Sequence, residues 1–197
     1  MKKAAFFLLF AGSIAVSAEA ATTIPCVATG VSSPVTVTAP GASAARAYFR
    51  KSGTPNFYYV DLKPGLAGFW GMLPRPEKGT SVEYAAEITG AGGATARETA
   101  AVVSQTPGCS PALNPDESRL ADNLIVGQTT AGDKVPPGFE CKGIVSVITP
   151  ENKLESNSCS HALPYFIGGA AAVAAGVLIY DNNHGHGHGH HVSQSTP

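Results

Sequence analysis

The sequence has few charged residues, and they are not clustered. Lys and Arg number 13, Asp and Glu number 14, and together they make up 14% of the 197 residues, for a net charge of −1. A nucleic-acid-binding surface needs a local excess of basic side chains. We therefore expect no nucleic-acid partner.

Catalytic signatures are also missing. The chain contains no H-E-x-x-H, no G-x-S-x-G and no glycine-rich phosphate loop with its Lys. Of the six histidines, His161 is the only one that lies outside the C-terminal tail, and it is two residues from Cys159. A thiol and an imidazole can act as nucleophile and base, but we expect Cys159 to be in a disulfide. The sequence therefore predicts no catalytic residues, no cofactor and no enzyme activity.

Residues 1–20 have the composition of a secretory signal. Two lysines precede an apolar run over residues 4–16, and the small residues on either side of Glu19 fit a cleavage site. We expect cleavage between Ala20 and Ala21. The alternative is an uncleaved anchor, for which the apolar run is short.

Many small residues, 22 Gly, 15 Pro and few helix-forming charged residues favour an all-β fold for the part of the chain between the signal and residue 163. Alternating runs, each bounded by turn residues, lie at residues 35–38, 45–51, 57–62, 69–73, 80–89 and 94–103. The last two flank the glycine turn at residues 90–93 and predict a hairpin. The spacing of all these runs along the chain predicts a Greek-key β-sandwich over residues 21–109. A lipocalin-type β-barrel is the alternative.

Residues 76–93 carry a family resemblance. They have a tyrosine, Tyr84, after a Gly-Thr turn, then alternating small apolar residues and a Gly-rich turn. This pattern, with its surroundings over roughly residues 34–104, resembles fibronectin type III and related immunoglobulin-like domains. The resemblance implies a scaffold without its own chemistry. It also implies that Tyr84 packs at a corner between the sheets and that its hydroxyl caps nearby backbone.

Aromatic residues are dense in the same region. On a sandwich some of them must face outward, where rings stack on sugars and on partner proteins. We expect most of them to form the core instead. The residues concerned are Tyr48, Phe57, Tyr58, Tyr59, Phe69 and Trp70.

Four cysteines follow the signal, and an even number in an exported protein predicts two disulfides. We expect Cys26 to pair with Cys109, which closes the first domain end to end, and Cys141 to pair with Cys159, which staples a hairpin. Free or metal-bound thiols are the alternative, but no pair has the C-x-x-C spacing.

Residues 110–162 predict a smaller, disulfide-stapled β-unit. A polar, proline-containing boundary at residues 104–122 precedes strand-like runs at residues 123–128 and 143–149. Short disulfide-held units need not bury a core of their own. The unit therefore either completes the first sandwich or packs on its edge.

Residues 163–180 form an uncharged run, flanked by tyrosines, that predicts a transmembrane helix. Gly168, Ala172 and Gly176 recur every fourth position and predict a helix-mediated homo-oligomer. The alternatives are a buried helix of a soluble protein or a removable hydrophobic tail.

The tail at residues 181–197 is predicted to be disordered and is rich in histidine and glycine. Imidazoles separated by glycine can surround a zinc, copper or nickel ion. A bland low-complexity tail gives the same composition. The candidate metal ligands are His184, His186, His188, His190 and His191.

Together these features predict an exported protein anchored in the bacterial cell envelope by residues 163–180. Its expected work is binding to a protein or glycan, or a structural role, without catalysis. The alternative is a metal-binding envelope protein that uses the histidine tail.

Overall fold

A computed structural model of the protein describes residues 20–157. This part of the chain is mostly β-sheet, with one short helix, α1, at Pro115–Ala121. The strands are β1 (Ala21–Thr23), β2 (Ser33–Thr38), β3 (Ala42–Lys51), β4 (Tyr58–Asp61), β5 (Lys63–Gly65), β6 (Gly68–Leu73), β7 (Val82–Gly90), β8 (Thr95–Arg97), β9 (Ala101–Val103), β10 (Leu124–Gln128), β11 (Ile144–Ile148) and β12 (Leu154–Ser156).

The strands form two sheets. One has four strands in the order β1-β2-β6-β5, and the other has eight, in the order β12-β11-β10-β4-β3-β7-β8, with β9 also paired to β7. All pairs are antiparallel except β10 with β11. The chain changes sheets three times, between β2 and β3, between β4 and β5, and between β6 and β7. At the second of these changes the amide of Leu62 donates to the carbonyl of Ala45 at 2.9 Å.

The alternation of β7 explains how the sheet divides its residues between core and surface. Val82, Ala86 and Ile88 are buried, while Glu83 and Glu87 lie on the other side of the strand. Apolar side chains from both sheets fill the space between them. Within this core the Phe49 and Phe139 rings pack edge to face, with their centroids 5.1 Å apart. The predicted two-faced strand at residues 80–89 is confirmed.

The predicted glycine turn between β7 and β8 is also present. Gly93 has φ +81°, a conformation that glycine adopts without steric cost, and its amide donates to the carbonyl of Gly90 at 2.9 Å. The amide of Gly90 in turn donates to the carbonyl of Ala94 at 2.8 Å. The turn therefore closes the hairpin that presents β8 beside β7.

Residues 104–122, predicted as a boundary, contain the helix. Asn114 caps α1 by accepting hydrogen bonds from the amides of Asp116 and Glu117, and the Glu117 carboxylate accepts one from the amide of Asn114. Such a capping box, followed by Pro115 at the first helical position, is a helix-start signal. The polar composition that indicated a loop is the composition of a helix N-terminus.

The strands after α1 extend the eight-stranded sheet. β10 pairs with β4, and β11 and β12 follow outward. Their apolar residues Leu124, Val126, Ile144 and Val147 belong to the same buried cluster as the core of the two sheets. This segment is therefore continuous with the sheet edge, and the division into domains at residue 109 stays a prediction.

Cys26 and Cys109 form a disulfide, with 6.3 Å between their Cα atoms. This is the pair expected from the sequence, and it ties the N-terminal segment to the chain after β9. Cys141 is disulfide-bonded as well, and its expected partner, Cys159, lies outside the described residues. None of the three described cysteines is a free thiol.

Several predicted features lie outside the described residues: most of the signal at residues 1–20, the span at residues 163–180 and the tail at residues 181–197. Over residues 20–157, no helix has the length and apolar character needed to cross a membrane.

Candidate functional site: an arginine–aromatic stack

The outer face of the eight-stranded sheet, which we call the stack face, carries a connected row of arginine and aromatic side chains. Strand registry places them there: β3 pairs Arg46 with Asp61 and Tyr48 with Tyr59 on β4. On its other side, β3 pairs Tyr48 with Ala85 of β7. Because side chains alternate along a strand, all of these residues share one face.

Six side chains lie in continuous contact, and we call them the arginine–aromatic stack. The Arg46 guanidinium lies 4.5 Å from the Tyr59 ring centroid, and the Tyr59 and Tyr48 rings are 5.6 Å apart. Arg97 of β8 lies 3.7 Å from the Tyr48 ring and 5.2 Å from the Phe57 ring. Arg50 lies 4.1 Å from the Phe57 ring. In order, the stack is Arg46, Tyr59, Tyr48, Arg97, Phe57 and Arg50.

A glycine on β10 makes room for the Tyr59 end of the stack. Gly127 pairs with Tyr59 across β4 and β10, and a Cβ atom at this position would overlap the atoms of the Tyr59 ring. The ring therefore lies directly on the backbone of β10, a close approach that only glycine allows.

Carboxylates hold both ends of the stack. Arg46 Nε donates to Asp61 at 2.6 Å. Arg50 donates two hydrogen bonds to Glu83, from Nε at 2.9 Å and from Nη2 at 2.8 Å, a two-point arrangement that fixes the guanidinium plane. Arg50 also donates to the carbonyl of Pro55 at 3.1 Å.

The centre of the stack is held by a tyrosine hydroxyl. Tyr48 donates to Glu87 Oε1 at 3.1 Å. Burial raises the pKa of Tyr48, and the nearby negative charge of Glu87 raises it further. Burial likewise raises the pKa of Tyr59. Both phenols therefore remain neutral well beyond neutral pH.

The electrostatics of the charged members follow from their partners. Burial acts to lower the pKa of Arg46, but the hydrogen bond and charge of Asp61 outweigh it and the pKa is raised. The hydrogen bond from Arg50 lowers the pKa of Glu83. The raised pKa of Arg46 and the lowered pKa of Glu83 give the face fixed charges of both signs.

A small cleft of about 250 Å³ is lined by residues that precede and follow Phe57 in the sequence. The Tyr58 hydroxyl donates to the carbonyl of Asp133 at 3.1 Å, and Gln128 Nε2 donates to the same carbonyl at 2.8 Å. These bonds hold the loop after β10 against the start of β4 and the end of β10. The cleft is lined by Thr54, Pro55, Asn56, Tyr58, Gly132, Asp133 and Pro137.

Most of the aromatic residues singled out in the sequence are divided between the core that lies between the sheets and the stack face. Tyr58 and Phe69 belong to the buried core. Tyr48, Phe57 and Tyr59 belong to the stack. Four of the six, Tyr48, Tyr58, Tyr59 and Phe69, are buried, so the expectation that most would be buried is confirmed. Strand alternation nevertheless directs consecutive aromatics such as Tyr58 and Tyr59 to opposite faces of the sheet.

Trp70, the remaining aromatic of that set, is half-buried on β6, and Lys63 Nζ lies 5.7 Å from its ring centroid. Tyr84 packs against the core, but its hydroxyl makes no hydrogen bond within residues 20–157. It pairs with Phe49 on one side and Ala101 on the other, so it lies within the sheet and does not cap backbone at a corner.

Sequence reasoning missed Arg97 and Gly127. Arg97 lies in the run at residues 94–103, whose two faces can be read by alternation from the glycine turn at residues 90–93. That reading places Arg97 opposite Glu87 and identifies it as a member of the outer face. No local signal identifies Gly127, because its role depends on pairing with a distant strand.

Within the described residues, no group of three or more His, Cys, Asp or Glu side chains is placed to hold a metal ion. The candidate ligands His184, His186, His188, His190 and His191 lie outside residues 20–157. Comparison of the chain with protein-family models, curated proteins and solved structures gives no match.

Proposed function

We propose that the protein is an exported interaction module that binds a partner through the stack face, without catalysis, and that residues 163–180 anchor it in a bacterial envelope membrane. The observation that carries this proposal is the arginine–aromatic stack itself. Three guanidiniums are fixed against three rings on one face of a rigid sheet, which is the type of surface enriched at binding interfaces.

We infer that the scaffold is an immunoglobulin-like sandwich. The strand order supports this inference: β1, β2 and β6 match strands A, B and E of that fold, and β4, β3 and β7 match C′, C and F, with β8 and β9 in the place of G. β10, β11 and β12 are then an addition at the C′ edge. This scaffold leaves the outer face of the second sheet available for binding.

The chemistry of the stack favours recognition over reaction. Guanidiniums do not give up a proton in proteins, and the raised pKa values of Tyr48 and Tyr59 keep these phenols from acting as bases near neutral pH. Each group is fixed by a neighbour, so little side-chain freedom is lost on binding. The geometry therefore supports a preformed binding surface.

The proposal is tested by site-specific photo-crosslinking in cells that natively make the protein. A benzoylphenylalanine is placed at an exposed position on the stack face, Thr95, Val102 or Leu154. Matched probes are placed on the outer face of the four-stranded sheet, at Thr36 and Thr38.

We expect one discrete adduct from at least two stack-face positions and none from Thr36 or Thr38. Equal labelling from both faces, or no adduct from any stack-face position, would contradict the proposal. Urea unfolding of each probe-bearing chain verifies that the substitution leaves the fold intact.

A further inference from the structure

The three arginines of the stack differ in whether a carboxylate neutralises them. Arg46 pairs with Asp61, and Arg50 pairs with Glu83. Arg97 forms no ion pair within residues 20–157, although it is opposite Glu87 in the register of β7 and β8. The stack therefore contains one guanidinium whose charge is unpaired in the described part of the chain.

The position of Arg97 is set by its neighbours on β3 and β7. Its guanidinium reaches past β7 and lies 3.7 Å from the Tyr48 ring centroid. The β7 residue opposite Tyr48 is Ala85, whose methyl group is too small to block this path and is itself buried. A larger residue at position 85 would separate Arg97 from Tyr48.

Stacking on the rings leaves the hydrogen-bonding edge of Arg97 open. The contacts with Tyr48 and Phe57 are with ring faces, and the residue is exposed. A guanidinium has five N–H groups in one plane, matched to the two oxygens of a carboxylate. No hydrogen bond of the described residues uses the N–H groups of Arg97.

We propose that Arg97 binds the carboxylate of an Asp or Glu side chain presented by a protein partner. This inference rests on the proposed function and specifies the ligand chemistry of the same face. The charges around Arg97 determine the pattern that the partner needs. Glu83 and Glu87 flank the site on β7, so the acidic side chain is accompanied by Lys or Arg residues on the partner.

The same observations favour a protein over a glycan. Sugars bind aromatic residues by stacking on open ring faces, but Tyr48 and Tyr59 are each only 7% exposed. Neighbouring members of the stack cover these rings. A ligand with many negative charges, such as an acidic polysaccharide, would also meet the carboxylates of Asp61, Glu83 and Glu87.

The test is an NMR titration of the full chain, 15N-labelled and held in detergent micelles, that follows the Nε–Hε signal of Arg97. The probes are a peptide with the sequence Ac-Gly-Lys-Glu-Lys-Gly-amide, its glutamine counterpart and trigalacturonate. The variant is Arg97→Gln. The matched control is Lys63→Gln, which removes the cation beside Trp70 on the opposite sheet.

We expect a saturable shift with the glutamate peptide and binding about tenfold weaker with the glutamine peptide. The shift is lost in Arg97→Gln, as read from neighbouring backbone amides, and kept in Lys63→Gln. Equal binding of the two peptides, no binding of either, or unchanged binding to Arg97→Gln would overturn the proposal. Tighter binding of trigalacturonate would overturn the assignment to a protein.

The two proposals fail separately. Adducts from the stack face combined with no preference for the glutamate peptide would leave the face as the binding surface and remove Arg97 as the carboxylate receptor. Loss of the stack-face adducts would remove both.

Discussion

The outer faces of the two sheets are organised in different ways. On the stack face, three arginines, three rings and three carboxylates contact one another across β3, β4, β7 and β8. On the four-stranded sheet, Thr36 and Thr38 are exposed, Lys63 lies beside Trp70, and no ion pair joins the four strands. The comparison shows that connected polar and aromatic contacts identify the candidate binding surface, whereas an isolated cation beside a ring does not.

The largest effect is expected where the stack meets the backbone. Gly127→Ala places a methyl group where the Tyr59 ring lies, so the ring or β10 must move. We expect the free energy of unfolding to fall by about 1–3 kcal/mol. Urea denaturation measures the change.

Gly132→Ala is the matched control, because its methyl group would have no neighbour closer than 3.6 Å. We expect it to alter the free energy of unfolding by less than about 0.5 kcal/mol. Equal stability of the two alanine variants would mean that the Tyr59 ring does not pack against the backbone of β10.

The next prediction compares the loss of stability when a cation beside an aromatic ring is removed from each face. Arg50→Met removes two hydrogen bonds to Glu83. The Glu83 side chain is only 16% exposed, so its carboxylate is left partly buried without a charged partner. We expect a loss of about 1–2 kcal/mol in the free energy of unfolding. Lys63→Met, on the other face, is expected to cost less than about 0.5 kcal/mol. Thermal and urea unfolding of both variants measure the difference, and equal losses would contradict the contrast between the faces.

A pH titration distinguishes the faces without mutation. Burial raises the pKa of Tyr48 and Tyr59 on the stack face and of Tyr58 in the core, whereas β1, β2, β5 and β6 contain no tyrosine. In the unfolded chain these phenols ionise near pH 10. In the folded chain they keep their protons to higher pH, so the free energy of unfolding is unaffected below about pH 10 and falls as pH rises through the folded-state pKa values.

Absorbance at 295 nm follows the ionisation. We expect a group of tyrosines that titrates above the ordinary range, and one fewer phenol in that group after Tyr48→Phe. If all tyrosines of the folded protein titrated together near pH 10, the described burial of the stack would be wrong.

The alternation of β3 and β7 could be read from the sequence because each strand is half-buried. Placing Arg46, Tyr48 and Arg50 on one side requires only the period of two. Contacts between strands could not be read in this way. The contact of Arg97 with Tyr48 depends on the register of two strand pairs, β3 with β7 and β7 with β8. The packing of the Tyr59 ring against Gly127 depends on pairing between residues far apart in sequence.

Two other features of the fold, the pairing of β10 with β11 and helix α1, could not be predicted from local sequence patterns alone. The parallel pairing of β10 with β11 requires a connection that crosses back along the sheet, and that connection contacts distant residues: Phe139 pairs with Pro76, and Thr80 donates to the carbonyl of Gly138. Helix α1 has only seven residues, and its capping residues Asn114 and Glu117 have the same composition as a loop. Composition alone therefore predicted a boundary there.

Among the substitutions in the stack itself, the smallest expected effect on stability is that of Arg97→Gln. Arg97 is itself exposed, its contacts with Tyr48 and Phe57 are stacking contacts only, and no carboxylate loses a partner. We expect the free energy of unfolding to change by less than about 1 kcal/mol. Because the variant stays folded, it separates binding from stability, and its urea midpoint should lie close to that of the unmodified protein.

The most direct measurement is the yield of the photo-crosslinked adduct from a probe at Val102, compared between the chain with Arg97 and the chain with Arg97→Gln. The account predicts a discrete adduct that requires Arg97 while the fold remains intact. An adduct of the same mass and yield in both chains would contradict the claim that the stack face binds its partner through this arginine.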